Sequence, residues 1–102
     1  MFKPLDPLLH SELRLAVVSL LVALKEAEFG YLKEQTGATA GNLSVQLQKL
    51  ADAGYITIEK SFKGNYPLTT CKITKTGIAA FESYVEAIKT YLNKPKEKKK
   101  VG

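Results

Sequence analysis

The stretch over residues 31–56, YLKEQTGATAGNLSVQLQKLADAGYI, most constrains what this chain can fold into. Leu43, Leu47 and Leu50 are spaced i, i+4 and i+7, so they lie on one side of a helix while polar residues occupy the opposite side. Gly37 precedes them and can adopt the left-handed conformation that ends a helix, since it has no Cβ. The stretch therefore predicts two helices joined by a tight turn, the second with one buried stripe and one exposed face.

A β-hairpin is predicted directly after these helices. Ile56 and Ile58 alternate with polar residues, as in a strand that is buried on one face. The segment SFKGNYP over 61–67 contains Gly64 followed by an asparagine, and both residue types tolerate a positive φ in a turn. A second strand is predicted at about 68–74. Two short helices that run into such a hairpin have the outline of a helix-turn-helix with a wing.

A further helix is predicted ahead of this unit. It begins near Ser11, and nearly every residue over 13–24 is apolar, so most of its circumference should be buried. Phe29 is expected to anchor a very short strand, followed by the first helix of the helix-turn-helix at about 31–36. That helix has barely two turns and needs its neighbours to hold it.

The last helix, predicted at about 75–92, carries apolar residues spaced alternately by three and four positions: Ile78, Phe81, Val85, Ile88 and Leu92. A seam of this kind is typical of coiled coils and favours packing against a second helix. The alternative is that the seam covers the core of its own domain. We expect a homodimer formed through the C-terminal and first helices, with the interface residues Leu13, Val17, Phe81, Tyr84, Val85, Ile88, Tyr91 and Leu92.

The predicted fold class is mainly α with a small β-hairpin wing (α+β), a winged helix-turn-helix with a long C-terminal dimerisation helix. A chain of 102 residues has room for one domain and one core. We place the domain at 1–93, including the dimerisation helix. The tail over 94–102 is rich in lysine and is expected to be disordered.

The net charge of +5 is unevenly distributed. Five lysines and one glutamate over 94–102 contribute +4 of it, while 1–40 hold four basic and five acidic residues. Five lysines face two acidic residues over 41–77, an excess of three. The positive charge of the folded body thus lies on the predicted recognition helix and wing, as suits a surface that faces phosphates. An excess this small also fits an ordinary solvated face.

The chain resembles the small winged-helix transcriptional regulators of the MarR/ArsR-like type. The residues that carry the likeness are Phe29, Tyr31, Leu32, Lys33, Thr39, Gly41, Asn42, Leu43, Ser44, Leu47, Leu50, Gly54, Tyr55, Pro67, Thr69, Ile73, Thr74 and Gly77. The resemblance implies a homodimer that binds double-stranded DNA and controls transcription, which we expect to be a repressor. Such proteins often have histidine at the position of Gln46 and arginines around the wing tip, where this chain has neither.

By this resemblance, helix 40–53 enters the major groove and wing 61–67 lies near the minor groove. Asparagine and glutamine can pair with adenine edges, valine can contact a thymine methyl, and lysines suit phosphates. Backbone amides at the positive end of helix 40–53 can also meet a phosphate. The predicted DNA-binding residues are Thr39, Gly41, Asn42, Ser44, Val45, Gln48, Lys49, Lys60, Lys63, Asn65 and Tyr66, and Lys72 is a further phosphate candidate. The groove-facing positions are equally compatible with plain solvated side chains. The alternative for Thr39 and Gly41 is an ordinary capped helix start, and for Tyr66 an aromatic side chain that packs on its own strand.

The alternative function is a winged-helix protein–protein interaction module without specific DNA binding, which the small charge of the body and the wing without arginine would favour. The Lys-rich tail either adds nonspecific DNA affinity or serves only solubility.

Catalysis, metal binding and cofactors are not expected. His10 is the single histidine and Cys71 the single cysteine, and neither has a pair of carboxylates at helical spacing with it. We interpret Cys71 as a small core residue and not as a redox sensor. The longest apolar run, over 15–24, is half of what a membrane span needs, and the first residues lack the order of a signal peptide. A cytoplasmic protein without membrane contact is therefore expected, and the sequence does not identify a small-molecule effector.

Overall fold

The computed structural model of the protein describes residues 1–93, so the tail predicted to be disordered lies outside the described residues. The elements are α1 (Glu12–Leu24), β1 (Glu26–Glu28), α2 (Phe29–Thr36), α3 (Ala40–Asp52), β2 (Ile56–Lys63), β3 (Tyr66–Ile73) and α4 (Lys75–Leu92). This order is a helix-turn-helix followed by a hairpin and a long final helix. The α+β winged arrangement predicted from the sequence is confirmed.

Side-chain caps fix where α1, α3 and α4 begin, and the cap of α4 is Thr74. Ser11 accepts a hydrogen bond from the Arg14 backbone amide at 3.4 Å at the start of α1. Thr39 does the same for α3, with 3.2 Å from the Asn42 amide to its hydroxyl. Between α2 and α3, Gly37 has a φ of 71° and ends α2 in the left-handed conformation. The turn of the helix-turn-helix thus forms as its sequence predicts.

The sheet is antiparallel with β3 at its centre, in the order β1-β3-β2. Ile58 pairs with Cys71 and Lys60 with Thr69, so these residues share one face of the hairpin. The third strand, β1, pairs Glu26 with Lys72. The expectation that Phe29 lies in the short strand is wrong, because pairing with β3 places that strand at Glu26–Glu28 and Phe29 is the first residue of α2.

The core lies between the first three helices and the inner face of the sheet. Leu43, Leu47 and Leu50 are 0%, 2% and 0% exposed, which confirms the predicted stripe of α3. They pack in one cluster with side chains from the other elements, including Leu9, Val17, Val18, Leu21, Leu32, Ile56 and Cys71. Helix α3 is therefore held from one side and leaves its polar face in solvent.

Helix α4 packs on α1, and its core-facing side overlaps the predicted seam only in part, since Phe81 and Ile88 pack against the core while Leu92 is 71% exposed. Gly77, Tyr84 and Ala87 are its buried residues. Val17 is fully buried and Tyr84 is 6% exposed, so these two residues belong to the core of the protomer and are removed from the predicted dimer interface. The spacing of apolar residues predicts which of them lie on one side of a helix. Whether that side packs on the core or on a second subunit depends on how the helix is rotated about its axis relative to the rest of the domain.

The segment over residues 1–10 packs along α4 and reaches the end of α3. Phe2 stacks on Tyr91 with ring centroids 4.8 Å apart. The Tyr55 hydroxyl donates to Asp6 Oδ2 at 2.5 Å. His10 Nδ1 lies 2.9 Å from the Tyr84 hydroxyl. The single histidine is therefore engaged in a contact between the segment and α4.

Candidate nucleic-acid interface

The exposed face of α3 carries most of the predicted DNA-binding residues. Every predicted residue on and around this helix is solvent-exposed, as are those of the wing: Thr39, Gly41, Asn42, Ser44, Val45, Gln48, Lys49, Lys60, Lys63, Asn65 and Tyr66. Val45 is 53% exposed although it is apolar. An exposed valine among amides and a lysine has the composition of a surface that touches base edges and methyl groups.

The N-terminus of α3 leaves backbone amides available. The Asn42 amide is used by the Thr39 cap, and the Leu43 amide donates to the Thr39 oxygen at 2.9 Å. The amides of Ala40 and Gly41 precede the first bond within the helix, so they have no partner in it. A Cβ on Gly41 would meet nothing within 4 Å, so this end of the helix is open to a large anion.

Two side-chain amides on this face are already held by neighbours. Gln48 Nε2 donates to Asp52 Oδ1 at 2.8 Å. Gln46 Nε2 donates to Asn42 Oδ1 at 3.1 Å, and its own Oε1 accepts from Arg14 of α1. The orientation of the exposed amides is thus set within the protein before any ligand is present.

The hairpin brings one lysine beside α3. Lys60 lies on the inner face of β2, and together with Ser44 and Gln48 it lines an open groove of about 370 Å³ between α3 and the hairpin. Lys63 and Tyr66 pair with each other at the tip, next to Gly64 with its φ of 64°. The structure therefore joins Ser44, Gln48 and Lys60 in one site and leaves the tip residues at the end of the hairpin.

The lysines of this region differ in their electrostatic surroundings. Lys72 Nζ lies 3.8 Å from a Glu26 oxygen and 3.3 Å from a Glu59 oxygen, on the outer face of the sheet. Its charge is offset by two carboxylates, so Lys72 is not retained as a phosphate candidate. Within residues 1–93, Lys49, Lys60 and Lys63 form no salt bridge and keep their charge available.

Sequence reasoning missed three residues of this surface. Arg14 and Gln46 connect α1 to α3, and Phe62 is 74% exposed on the inner face of the hairpin opposite Pro67. A signal for Arg14 existed, since it is the only arginine of the chain and stands in an otherwise apolar helix. A guanidinium there needs oxygen acceptors. Its partner on α3 has no local sequence signal.

Other chemically reactive groups lie in the core or in structural contacts. Cys71 is fully buried, and burial raises the pKa of its thiol to about 11. The hydrogen bond to Asp6 raises the pKa of Tyr55 to about 12, with desolvation and the Asp6 charge acting in the same direction. Among the described residues, no group of three potential metal ligands comes together. The helices of the same region are too short or too polar to cross a bilayer.

Comparison with known proteins identifies the fold family. Residues 13–92 match the family model described as a winged helix DNA-binding domain. An uncharacterized protein of Methanocaldococcus jannaschii is 38% identical over 79 residues, which are 78% of this chain and 86% of that relative. The family match over residues 13–92 extends from α1 through α4 and includes the whole candidate interface.

Two solved structures show the same architecture. A transcriptional regulator homologue from Pyrococcus horikoshii OT3 superposes with a TM-score of 0.78 at 22% identity, covering 83% of this chain and 84% of that one. A MarR-family transcriptional regulator from Silicibacter pomeroyi gives a TM-score of 0.65 at 17% identity, covering 81% of this chain and 55% of that chain. This chain thus spans about half the length of the latter protein. With its family model extending over four helices and the hairpin, the chain belongs to the winged helix DNA-binding domain family.

Proposed function

We propose that this protein is a homodimeric, sequence-specific double-stranded DNA-binding regulator that represses transcription. Helix α3 enters the major groove, and the wing over 61–67 lies near the minor groove. The observation that carries the proposal is the continuous exposed face of α3, on which backbone amides, side-chain amides, Val45 and Lys49 stand beside Lys60 of the hairpin. Winged-helix regulators are typically non-enzymatic, and no catalytic role is proposed.

Different groups of this surface are suited to phosphate contacts and to base contacts. The Ala40 and Gly41 amides and the ammonium groups of Lys49, Lys60 and Lys63 suit phosphate oxygens, which fix the register on the duplex. The side chains of α3 then face base edges, where a good pair discriminates by about 1–3 kcal/mol. The wing, which is without arginine, contributes affinity more than sequence preference.

Selection of bound sequences from random duplex DNA tests the proposal. The full chain is expected to enrich one pseudo-palindromic site and to bind it at least about 10³-fold more tightly than random duplex at about 150 mM salt. Gln48→Ala and Asn42→Ala should each weaken specific binding, while Gln35→Ala, an exposed change on α2, serves as the control. Binding that stays unselective at that salt contradicts sequence-specific recognition. Failure to retard any duplex at low salt would support the protein–protein module instead.

The homodimer is proposed to form through the outer sides of α1 and α4. Support comes from apolar side chains left at that surface: Leu92 is 71% exposed and Tyr91 is 48% exposed, and Leu13 and Val85 are half-buried. Phe81 and Ile88 are half-buried and pack against the core, so they reach a partner with one edge only. A two-fold dimer would place two copies of α3 roughly 34 Å apart, one turn of DNA.

Light scattering at tens of micromolar tests the dimer. We expect twice the chain mass for the full-length protein and a monomer for Val85→Glu with Leu92→Glu, since both changes put charge into the apolar surface. Ala79→Glu, an exposed change on the same helix, should remain dimeric. A monomeric mass for the unmodified chain would contradict the homodimer and leave the DNA-binding proposal to be judged separately.

The regulatory output is tested in cells. A reporter gene behind the selected site should be repressed by the full chain and released by Gln48→Ala. Activation of the reporter would contradict the repressor assignment. We place the protein in the cytoplasm, where a DNA-binding repressor of this size meets its operator, and fractionation of cells that make the full chain checks that location.

A further inference from the structure

Two hydrogen bonds connect Arg14, near the start of α1, to the exposed face of α3, and a third holds Arg14 to the segment before α1. Arg14 Nε donates to the Leu8 backbone oxygen at 2.6 Å, and Arg14 Nη1 donates to Gln46 Oε1. Gln46 Nε2 donates in turn to Asn42 Oδ1 at 3.1 Å. Arg14 is half-buried and forms no salt bridge within the described part of the chain. Its guanidinium is therefore committed to two neutral oxygens, one of which belongs to α3.

The chemistry of Arg14 fixes the orientation of both amides. A guanidinium has five N–H donors and no acceptor, so Gln46 must turn its oxygen toward Arg14. The NH2 group of Gln46 then faces Asn42, and because NH2 only donates, Asn42 must present its oxygen. An isolated exposed amide can flip at little cost, but these two contacts leave one arrangement in which no donor faces another donor and no acceptor faces another acceptor.

We propose that Arg14 is a positioning residue that makes Asn42 a hydrogen-bond donor toward DNA. With Oδ1 accepting from Gln46, the NH2 group of the exposed Asn42 is the part of the amide left to donate to an acceptor on the DNA. The acceptor is a phosphate oxygen or the O6 and N7 atoms of a guanine edge. A paired contact with adenine is disfavoured, because Asn42 Oδ1 already accepts from Gln46 and would have to accept from the adenine amino group as well, through its second lone pair. This inference rests on the proposed DNA-binding function.

Gln48, on the same face, has the opposite polarity. The carboxylate of Asp52 can only accept, so Gln48 donates to it through Nε2 and leaves its own Oε1 available for another contact. Gln48 therefore retains an acceptor and a second N–H, the pair that an adenine edge requires. Adenine recognition is assigned to Gln48, and Asn42 serves as a donor one turn and a half earlier on α3.

Gln46→Glu is the change that inverts the Asn42 amide. A carboxylate still accepts from Arg14, so the contact between α1 and α3 is kept and the thermal midpoint should be unchanged or raised. The carboxylate cannot donate, so Asn42 is expected to turn its NH2 inward and its oxygen toward the DNA. We expect specific affinity for the selected duplex to fall about tenfold, the loss of one well-placed hydrogen bond.

A charge-matched control and a double variant isolate this effect. Gln35→Glu adds the same charge at an exposed site that lines a groove together with Asn42, and it should weaken binding about twofold or less. In the Asn42→Ala background, Gln46→Glu should cost no more than this control, since the amide it inverts is absent. An equal loss in both backgrounds would overturn the proposal, because Gln46 would then act only through charge or fold.

Repeating the selection with Gln46→Glu separates the two acceptors. Loss of a guanine preference at one position identifies the guanine edge, whereas a uniform loss with unchanged preferences identifies a phosphate oxygen. An adenine preference that disappears with Asn42→Ala but not with Gln48→Ala would contradict the inference while leaving the proposed function intact. If the unmodified chain selects no duplex at all, the proposed function fails and the role of Arg14 fails with it.

Discussion

A Cβ on Gly77 would lie 2.1 Å from the Tyr55 backbone oxygen. The same oxygen accepts from the Thr74 amide at 3.1 Å and from the Thr74 hydroxyl at 3.0 Å. That hydroxyl also caps α4 by accepting from the Gly77 amide at 3.0 Å. The start of α4 is thus seated directly on the residue that links α3 to β2, and this joint sets the angle between the last helix and the candidate interface.

Gly77→Ala is expected to destabilise the protein by about 3 kcal/mol or more, since the added methyl meets backbone that cannot move without breaking the Thr74 contacts. Chemical denaturation measures the change. Gly30→Ala is the matched control: a Cβ there meets nothing within 4 Å, and the substitution within α2 should raise stability by about 0.5–1 kcal/mol. Equal stability of Gly77→Ala and the unmodified chain would contradict the close contact.

The Tyr55 phenol should ionise only at strongly alkaline pH. Its pKa is raised from 10.0 to about 12 by the Asp6 hydrogen bond and burial. Because the unfolded chain loses this proton near pH 10 and the folded chain near pH 12, the contact stabilises fully below pH 10 and is lost between pH 10 and 12. Tyr55→Phe should lose about 1 kcal/mol at neutral pH and lack this decline. Alkaline absorbance titration of both proteins measures how many tyrosines ionise between pH 10 and 12. Coincident titration curves would contradict the raised pKa of Tyr55.

The Cys71 thiol should be unreactive in the folded protein. Its side chain is completely buried, with 0% of its surface exposed, and burial raises its pKa to about 11. Near neutral pH a reagent therefore cannot reach the sulfur, and the sulfur is not in its reactive thiolate form. A chromogenic disulfide reagent at about pH 8 should label Cys71 only as fast as the protein opens. Full labelling in denaturant supplies the reference, and rapid labelling of the native chain would contradict the buried position.

Lys60 and Lys72 should respond differently when DNA binding is measured against salt. Lys60→Ala removes an ammonium that lies beside Ser44 and Gln48 and forms no salt bridge within residues 1–93, so the slope of log K against log salt should fall by about one. Lys72→Ala removes the same formal charge from a site flanked by Glu26 and Glu59, and the slope should be unchanged. Similar slopes for the two variants would mean that Lys60 does not contact phosphate.

The local signals of the sequence were sufficient for helices and turns. Each helix signal depends only on residues close by in the sequence, as for Gly37, Thr39 and the leucines of α3. The predicted end of α3 lies within one residue of the observed one. The strand Glu26–Glu28 has no such signal: it is polar, three residues long, and exists because β3 lies beside it. Such an element depends on pairing with a strand that is distant in the sequence, so the residues around Phe29 could not predict where it lies.

The candidate site divides in the same way. That Asn42 and Gln48 are exposed follows from the periodicity of α3, and the structure agrees. The direction of each amide follows from contacts across helices, since Arg14 is 32 positions from Gln46. Periodicity also could not tell which apolar residues of the predicted dimer interface are buried within the protomer. Val17 and Tyr84 are buried there, whereas Leu92 is exposed.

The contacts of residues 1–10 matter for where experimental boundaries are drawn. The family match begins at residue 13, yet Leu9 is completely buried, Asp6 holds Tyr55, and His10 holds Tyr84. A fragment trimmed to the family boundary would uncover the apolar surface under Leu9 and release both tyrosines. A boundary chosen from the family match alone would thus remove part of the core. A fragment intended to fold should include residues 1–10 in full.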